Sequence, residues 1–130
     1  MNRKQIIEKW DGMSPRERDA WVAEVVFEQR VDNGVGCPFA ESFPGDHFFV
    51  ISGGDVRKLP NYTTDISAAW KVFECHPYVE AARIPGTVTT YGVRINNSND
   101  GTVLAMTQKP TFPEAICLAA LIAKLPDSTK

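Results

Sequence analysis

Few side chains able to do chemistry occur in this chain of 130 residues, and they are widely spaced. Metal ligands would come from a small set: Cys37, His47, Cys75, His76 and Cys117. Zinc sites usually pair their ligands at short spacing, as in C-x-x-C or H-x-x-x-H, and neither pair occurs here. Adjacent Cys75 and His76 would point to different sides of a helix. The sequence therefore predicts free thiols, ordinary histidines, no bound metal and no cofactor.

Two arrangements could still support catalysis. Cys37 lies in a Gly-Cys-Pro segment, and His47 or His76 could approach it in space, but a nucleophilic thiol needs an activating base within hydrogen-bond reach. Glu24 and Glu28 stand four residues apart, which would make an acid–base couple on a buried helix face and two solvated charges on an exposed one. No catalytic set is complete, so we expect no enzyme. The alternative is a small hydrolase that uses Cys37, or Glu24 with Glu28.

The most suggestive segment for a ligand is Tyr62-Thr63-Thr64-Asp65, which precedes a predicted helix. A helix N-terminus offers free backbone N–H groups and a positive dipole end, which suit an anion. Two hydroxyls and an aromatic ring would add specificity. Against this, Asp65 already complements the dipole, and Thr63 or Thr64 could serve only as the helix cap. We name Tyr62, Thr63, Thr64 and Asp65 as the candidate ligand-binding residues, with capping as the alternative.

Three tryptophans, Trp10, Trp21 and Trp70, could form a stacking platform for a nucleobase. A tryptophan at helical spacing among aliphatic neighbours more often belongs to the core. We therefore predict a core position for Trp70.

The charge balance excludes one class of partner. Fourteen basic and sixteen acidic residues give a net charge of −2, whereas proteins that grip duplex nucleic acid carry a basic stripe. Arg16 and Arg18 are interleaved with Glu17 and Asp19, a pattern typical of a solvated helix face. No apolar run reaches the roughly 20 residues of a membrane span, and the apolar pair near the N-terminus is too short for a signal peptide. We expect a protein of the bacterial cytoplasm that binds neither duplex nucleic acid nor membrane.

Capping signals divide the first part of the chain into helices. Residues 2–10 have apolar side chains at helical spacing. Ser14 and Glu17 form a capping box around Pro15, and the helix that they open is predicted to end near Arg30. A loop rich in glycine and proline follows over 33–46.

The remaining elements are predicted from hydrophobic pattern. Residues 47–51 form an apolar run without alternation, typical of a strand buried on both faces, and a loop to Asn61 follows. Residues 87–95 and 102–107 read as the two strands of a hairpin. A capping box at Thr111 opens a closing helix whose residues 115–123 are apolar nearly all round, so this helix must be buried in the fold or in an oligomer.

The element order is helix-helix-strand-helix-hairpin-helix. This order predicts an α+β fold, in which helices pack on the faces of a small antiparallel β-sheet. We expect a single domain over residues 1–126 and a frayed tail over 127–130.

Three segments resemble a known family: R-D-A-W-V-A-E-V-V at 18–26, Y-T-T-D-I-S-A-A-W-K-V at 62–72 and P-E-A-I-C-L-A-A-L at 113–121. The order and residue pattern of these segments are similar to those of the phage ABA sandwich domain, found in small phage and prophage proteins from Bacillus-like bacteria. The family often follows its first helix with a Met-Gly-Trp cluster, and this chain has Phe27-Glu28-Gln29 there.

The resemblance implies an α-β-α sandwich of phage origin, working in the cytoplasm of the bacterial host, and it carries no assigned reaction. We therefore expect a protein that acts by binding a partner rather than by catalysing a reaction. It would sequester a nucleotide signal of a defence system or bind a host protein. The alternative is a structural protein that forms a homo-oligomer through residues 115–123.

Overall fold

A computed structural model describes residues 2–32, 48–52 and 55–125 of the chain. The described residues form four helices and six strands. The helices are α1 (Arg3–Asp11), α2 (Pro15–Val25), α3 (Ile66–Glu74) and α4 (Phe112–Lys124). The strands are β1 (Arg30–Asp32), β2 (Phe49–Ser52), β3 (Asp55–Lys58), β4 (Val79–Ile84), β5 (Thr90–Asn96) and β6 (Val103–Lys109).

The strands form two antiparallel sheets of three, in the orders β1-β2-β3 and β4-β5-β6. The predicted α+β class with antiparallel strands is confirmed. Phe49 and Val50 are adjacent in β2 and both are buried, which confirms the prediction of a strand covered on both faces. The predicted loop at 33–46, His47 and the tail at 127–130 lie outside the described residues.

Helix α4 is the centre of the core. It packs against β5, β6 and α3, and it also contacts α1 and α2. Every residue from Ala115 to Ile122 is at most 8% exposed. The predicted burial of this helix is therefore confirmed, and a single chain provides it. Thr107 of β6 donates from its hydroxyl to the Ala115 carbonyl oxygen at 2.7 Å, which satisfies the polar group buried at this contact.

Local capping chemistry sets the helix starts. Ser14 and Glu17 form the predicted reciprocal capping box at α2, and Thr111 caps α4 by accepting from the Glu114 backbone N–H at 3.4 Å. At α3 the prediction was wrong, because the cap is Asp65 rather than Thr63 or Thr64. The Asp65 carboxylate accepts from the Ser67 N–H at 2.9 Å, so the helix begins at Ile66.

Helix α2 ends earlier than predicted. Its last residue is Val25, and Glu28 adopts a positive φ of 52°, which reverses the chain into β1. Only glycine and, less readily, asparagine or aspartate favour this conformation, so nothing in the residue types signalled the reversal. The two glutamates predicted to share a helix face are therefore on different elements.

Three strands were not predicted: β1, which begins at the residue where the second helix was expected to end, and then β3 and β4. β3 has one apolar residue among four, and β4 is exposed along nearly its whole length, so neither alternates between apolar and polar side chains. The first strand of the predicted hairpin begins at Thr90 rather than at residue 87. β4 is a strand because it pairs with β5, since its own residue pattern does not predict one.

The core position predicted for Trp70 was wrong. Its side chain is 52% exposed and stacks on Phe73, with ring centroids 4.7 Å apart. Helix α3 lies on α4 through Ala69 and Val72, so Trp70 falls at the margin of the contact. The other two tryptophans are buried, at 0% exposure for Trp10 and 7% for Trp21.

Asp19, predicted on a solvated helix face, is completely buried. Its Oδ1 accepts from the Thr63 backbone N–H at 2.8 Å and from the Thr63 hydroxyl at 2.7 Å. Its Oδ2 pairs with Arg16 Nη1 at 2.8 Å. Arg16 Nη2 in turn donates to the Leu59 carbonyl at 2.8 Å, so α2 holds the whole segment from 59 to 63 that leads to α3.

Replacing Asp19 by alanine leaves Thr63 and Arg16 without their buried partner. We expect Asp19→Ala to lower the free energy of unfolding by about 1 to 3 kcal/mol in urea melts followed by circular dichroism, the cost of leaving the buried Thr63 N–H unpaired. Glu24→Ala is the matched control, since Glu24 is exposed on the same helix, and its effect should stay within about 0.5 kcal/mol. Equal stability of the two variants would contradict a stabilising role for this carboxylate.

Candidate functional site

A cavity of about 340 Å³ lies between the end of α2, the β2–β3 hairpin and the start of α3. It contains one of the four predicted ligand-binding residues, Tyr62. The lining residues are Phe27, Gln29, Val50, Arg57, Lys58, Pro60, Tyr62, Ser67, Ala68 and Lys71. A volume of this order suits a small-molecule ligand.

The charged side chains among the described residues of the cavity wall are all positive. Arg57 and Lys58 reach it from the end of β3, and Lys71 reaches it from the second turn of α3. No aspartate or glutamate is among the described residues that line it. Because the chain as a whole carries a net charge of −2, this wall is a local reversal of sign that favours an anion.

An aromatic pair forms another part of the wall. The rings of Phe27 and Tyr62 stack with centroids 5.0 Å apart and an interplanar angle of 22°. Tyr62 is only 4% exposed, and desolvation raises the pKa of its phenol to about 12, although Arg57 opposes the shift. The phenol is therefore neutral at physiological pH and can donate a hydrogen bond.

Gln29 adds an acceptor to this wall. Its side-chain Oε1 is buried and finds no hydrogen-bond donor among the described residues. Leaving such an acceptor unpaired costs about 1 to 3 kcal/mol, which a ligand N–H could recover. Phe27 and Gln29 belong to the stretch in which this chain departs from the Met-Gly-Trp cluster of the resembled family. The departure therefore coincides with the cavity.

The other predicted ligand-binding residues lie outside the lining. Thr63 is buried against Asp19, Thr64 is exposed, and Asp65 caps α3 with its carboxylate. Their role in ligand binding stays a prediction. Sequence reasoning missed the three cations and Gln29, because the lining comes from residues 27–29, Val50, residues 57–62 and residues 67–71, and no local motif links them.

The catalytic alternatives are dispersed. Glu24 and Glu28 are both exposed, and Cys37 lies outside the described residues. Burial raises the pKa of the Cys117 thiol well above its usual value, and this thiol donates to the Tyr62 carbonyl oxygen at 3.2 Å. Desolvation also raises the pKa of Cys75. Neither thiol has the lowered pKa of a nucleophile.

Within residues 2–32, 48–52 and 55–125, no three His, Cys, Asp or Glu side chains gather closely enough to hold a metal ion. The same residues include no helix with the length and apolar character needed to cross a bilayer.

A larger depression of about 550 Å³ lies on the face of β4-β5-β6 away from α4. Its cation Arg94 pairs with Glu80 across the two strands, and Arg3 donates to the Met106 carbonyl oxygen at 2.9 Å. The basic groups there are engaged with the protein itself. Glu80 also lines this depression, whereas no described carboxylate lines the cavity at Tyr62, so the cavity at Tyr62 is the better anion site.

The buried phenol makes stability depend on alkaline pH. The pKa of Tyr62 is about 12 in the folded chain and about 10 in an unfolded one, so the unfolded state loses its proton first. Stability should therefore fall by up to about 3 kcal/mol between pH 10 and pH 12. We expect Tyr62→Phe to be less steeply destabilised over this range in urea melts. Equal slopes for the two proteins would contradict the buried neutral phenol.

Comparison with known proteins places this fold. The profile of the phage ABA sandwich domain matches residues 20–121. The crystal structure at 2.0 Å of a phage protein from Bacillus cereus ATCC 14579 is similar, with 24% sequence identity, a TM-score of 0.66 and coverage of 86% of this chain and 88% of that one. No curated protein matches the chain. The predicted resemblance is thus confirmed over most of the sequence, and the chain belongs to the phage ABA sandwich domain family.

Proposed function

We propose that this phage-family protein acts by binding, and that it sequesters a nucleotide signal of a host defence system in the cavity at Tyr62. One observation carries the proposal. Three cations, two stacked aromatic rings and an unpaired amide oxygen surround a single cavity that no described carboxylate lines. This combination fits a ligand that has both phosphate groups and an N–H-bearing aromatic base.

Each part of such a ligand has a chemical counterpart in the wall. The Arg57 guanidinium can hold a phosphate through two parallel hydrogen bonds, and Lys71 can supply a second charge from α3. A base could stack on Phe27, as bases do on aromatic platforms. An N–H group of the base could then donate to Gln29 Oε1 and satisfy it.

The same wall supports binding rather than turnover. Hydrolysis or phosphoryl transfer needs a positioned base, an activated nucleophile or a metal next to the reacting atom. The described lining residues supply cations, hydroxyls, an amide and apolar side chains. A protein with this inventory can act by lowering the free concentration of its ligand.

Calorimetry with a panel of ligands tests the proposal: ADP-ribose, AMP, a cyclic dinucleotide and uncharged adenosine. We expect at least one phosphate-bearing member to bind, and adenosine to bind at least about ten-fold more weakly. Arg57→Gln and Lys71→Gln should each weaken binding by about ten-fold or more, since each removes a charge-assisted hydrogen bond. Lys4→Gln, on the exposed face of α1, should leave the affinity unchanged.

Absence of heat with every nucleotide would contradict sequestration of a nucleotide. Binding that Arg57→Gln and Lys71→Gln leave unchanged would instead place the ligand elsewhere on the protein.

A second candidate function is binding to a host protein, and the exposed side of α3 favours it. Ile66 is 63% exposed and Trp70 is 52% exposed, one helical turn apart. Tryptophan is enriched among residues that dominate protein interfaces. Pulldown from host cells, with mass spectrometry for proteins and small molecules, separates the candidates. A host protein captured by the parent chain and lost in Trp70→Ser, without any bound nucleotide, would favour this one.

A further inference from the structure

Among the described strands, β4 forms an open edge of the second sheet. It pairs with β5 on one side, and no described strand pairs with its other side. Every residue from Glu80 to Ile84 is exposed. At the opposite edge, by contrast, the Arg3 guanidinium donates to the Met106 carbonyl oxygen of β6 at 2.9 Å. An uncovered edge offers unpaired N–H and C=O groups to another strand.

The pairing with β5 determines which backbone groups point outward. The Asn96 N–H donates to the Tyr78 carbonyl oxygen at 2.9 Å, and these two residues stand opposite each other in the register of β4 and β5. Hydrogen-bonded and non-hydrogen-bonded pairs alternate along an antiparallel ladder. Val79, Ala81 and Arg83 therefore direct their N–H and C=O groups away from β5.

We propose that β4 pairs with β4 of a second copy of this chain, antiparallel about a two-fold axis at Ala81, so that the two sheets join into one of six strands. Such an axis is perpendicular to the sheet, and both copies present the same face on the same side. Residues that meet across the axis are then both odd-numbered or both even-numbered. Centred on Ala81, the odd-numbered residues exchange hydrogen bonds with their counterparts, as Val79 does with Arg83 of the second copy.

The side chains of β4 favour this register. Tyr78, which is 54% exposed, stands opposite Ile84 of the second copy, which is 37% exposed, so two large apolar side chains cover each other at both ends. Glu80 stands opposite Ala82, and no two like charges are directly opposed. The next possible register, centred on Ala82, would place Glu80 against Ile84 and leave a charge beside an apolar side chain.

Single cysteines at positions 81 and 82 test both the pairing and its register. In a chain with Cys37→Ser and Cys75→Ser, Ala81→Cys would face its own copy at a Cα distance of about 5.5 Å, within disulfide range. Ala82→Cys would lie diagonally from its own copy at about 7 to 8 Å, too far for a disulfide. Mild oxidation should therefore produce a covalent dimer of Ala81→Cys and little of Ala82→Cys on a non-reducing gel.

Light scattering of the unsubstituted protein should give twice the chain mass of 14.4 kDa at micromolar concentration. Ala81→Pro should give the monomer mass, because it removes an outward N–H. A monomer mass for the unsubstituted protein up to 1 mM, on the order of the weakest specific affinities, would overturn the pairing. Cross-linking of Ala82→Cys in place of Ala81→Cys would overturn the register.

Discussion

The buried carboxylate of Asp19 is the interaction on which the candidate site depends. A charge taken out of water is tolerated only when it is paired and hydrogen-bonded, and Asp19 meets this condition through Thr63 and Arg16. These bonds join α2 to the segment before α3. They thereby hold Tyr62, the neighbour of Thr63 in the chain, against Phe27. The Cys117 thiol binds the Tyr62 carbonyl from the other side, so the same residue is also tied to the central helix α4.

The side chains that line the cationic cavity come from several different elements. Lys71 comes from α3, Arg57 comes from a short strand, and Phe27 comes from the reversal after α2. Their relative positions rely on the segment from 59 to 63, which Arg16 and Asp19 hold in place.

The sequence predicts those parts of the fold that have local causes. The Ser14 capping box, the apolar closing helix and the hairpin of β5 and β6 each follow from neighbouring residues. The misplaced elements have tertiary causes. β4 is a strand only because β5 pairs with it, and Trp70 is exposed because the small Ala69 makes the contact with α4. Asp19 looked like a surface charge because its partner Thr63 lies 44 residues away.

Among the residues that line the cavity, the sequence predicts only Tyr62, as the aromatic member of a candidate anion site at a helix N-terminus. Gln29 and Phe27 occupy a stretch in which the chain departs from the resembled family, and that departure was the available signal. No sequence signal marked Arg57 and Lys58, the cations of β3, because a strand with one apolar residue in four has the pattern of a loop.

The central claim is that the cavity at Tyr62 is where this protein binds its ligand, and amide chemical shifts measured by NMR during titrations with ADP-ribose, AMP and a cyclic dinucleotide test it most directly. The account predicts that the largest changes fall on the amides of Gln29, Arg57 and Lys71, and that they saturate with one ligand per chain. Changes confined to the β4-β5-β6 face, or none at millimolar ligand, which corresponds to about −4 kcal/mol of binding free energy, would contradict it.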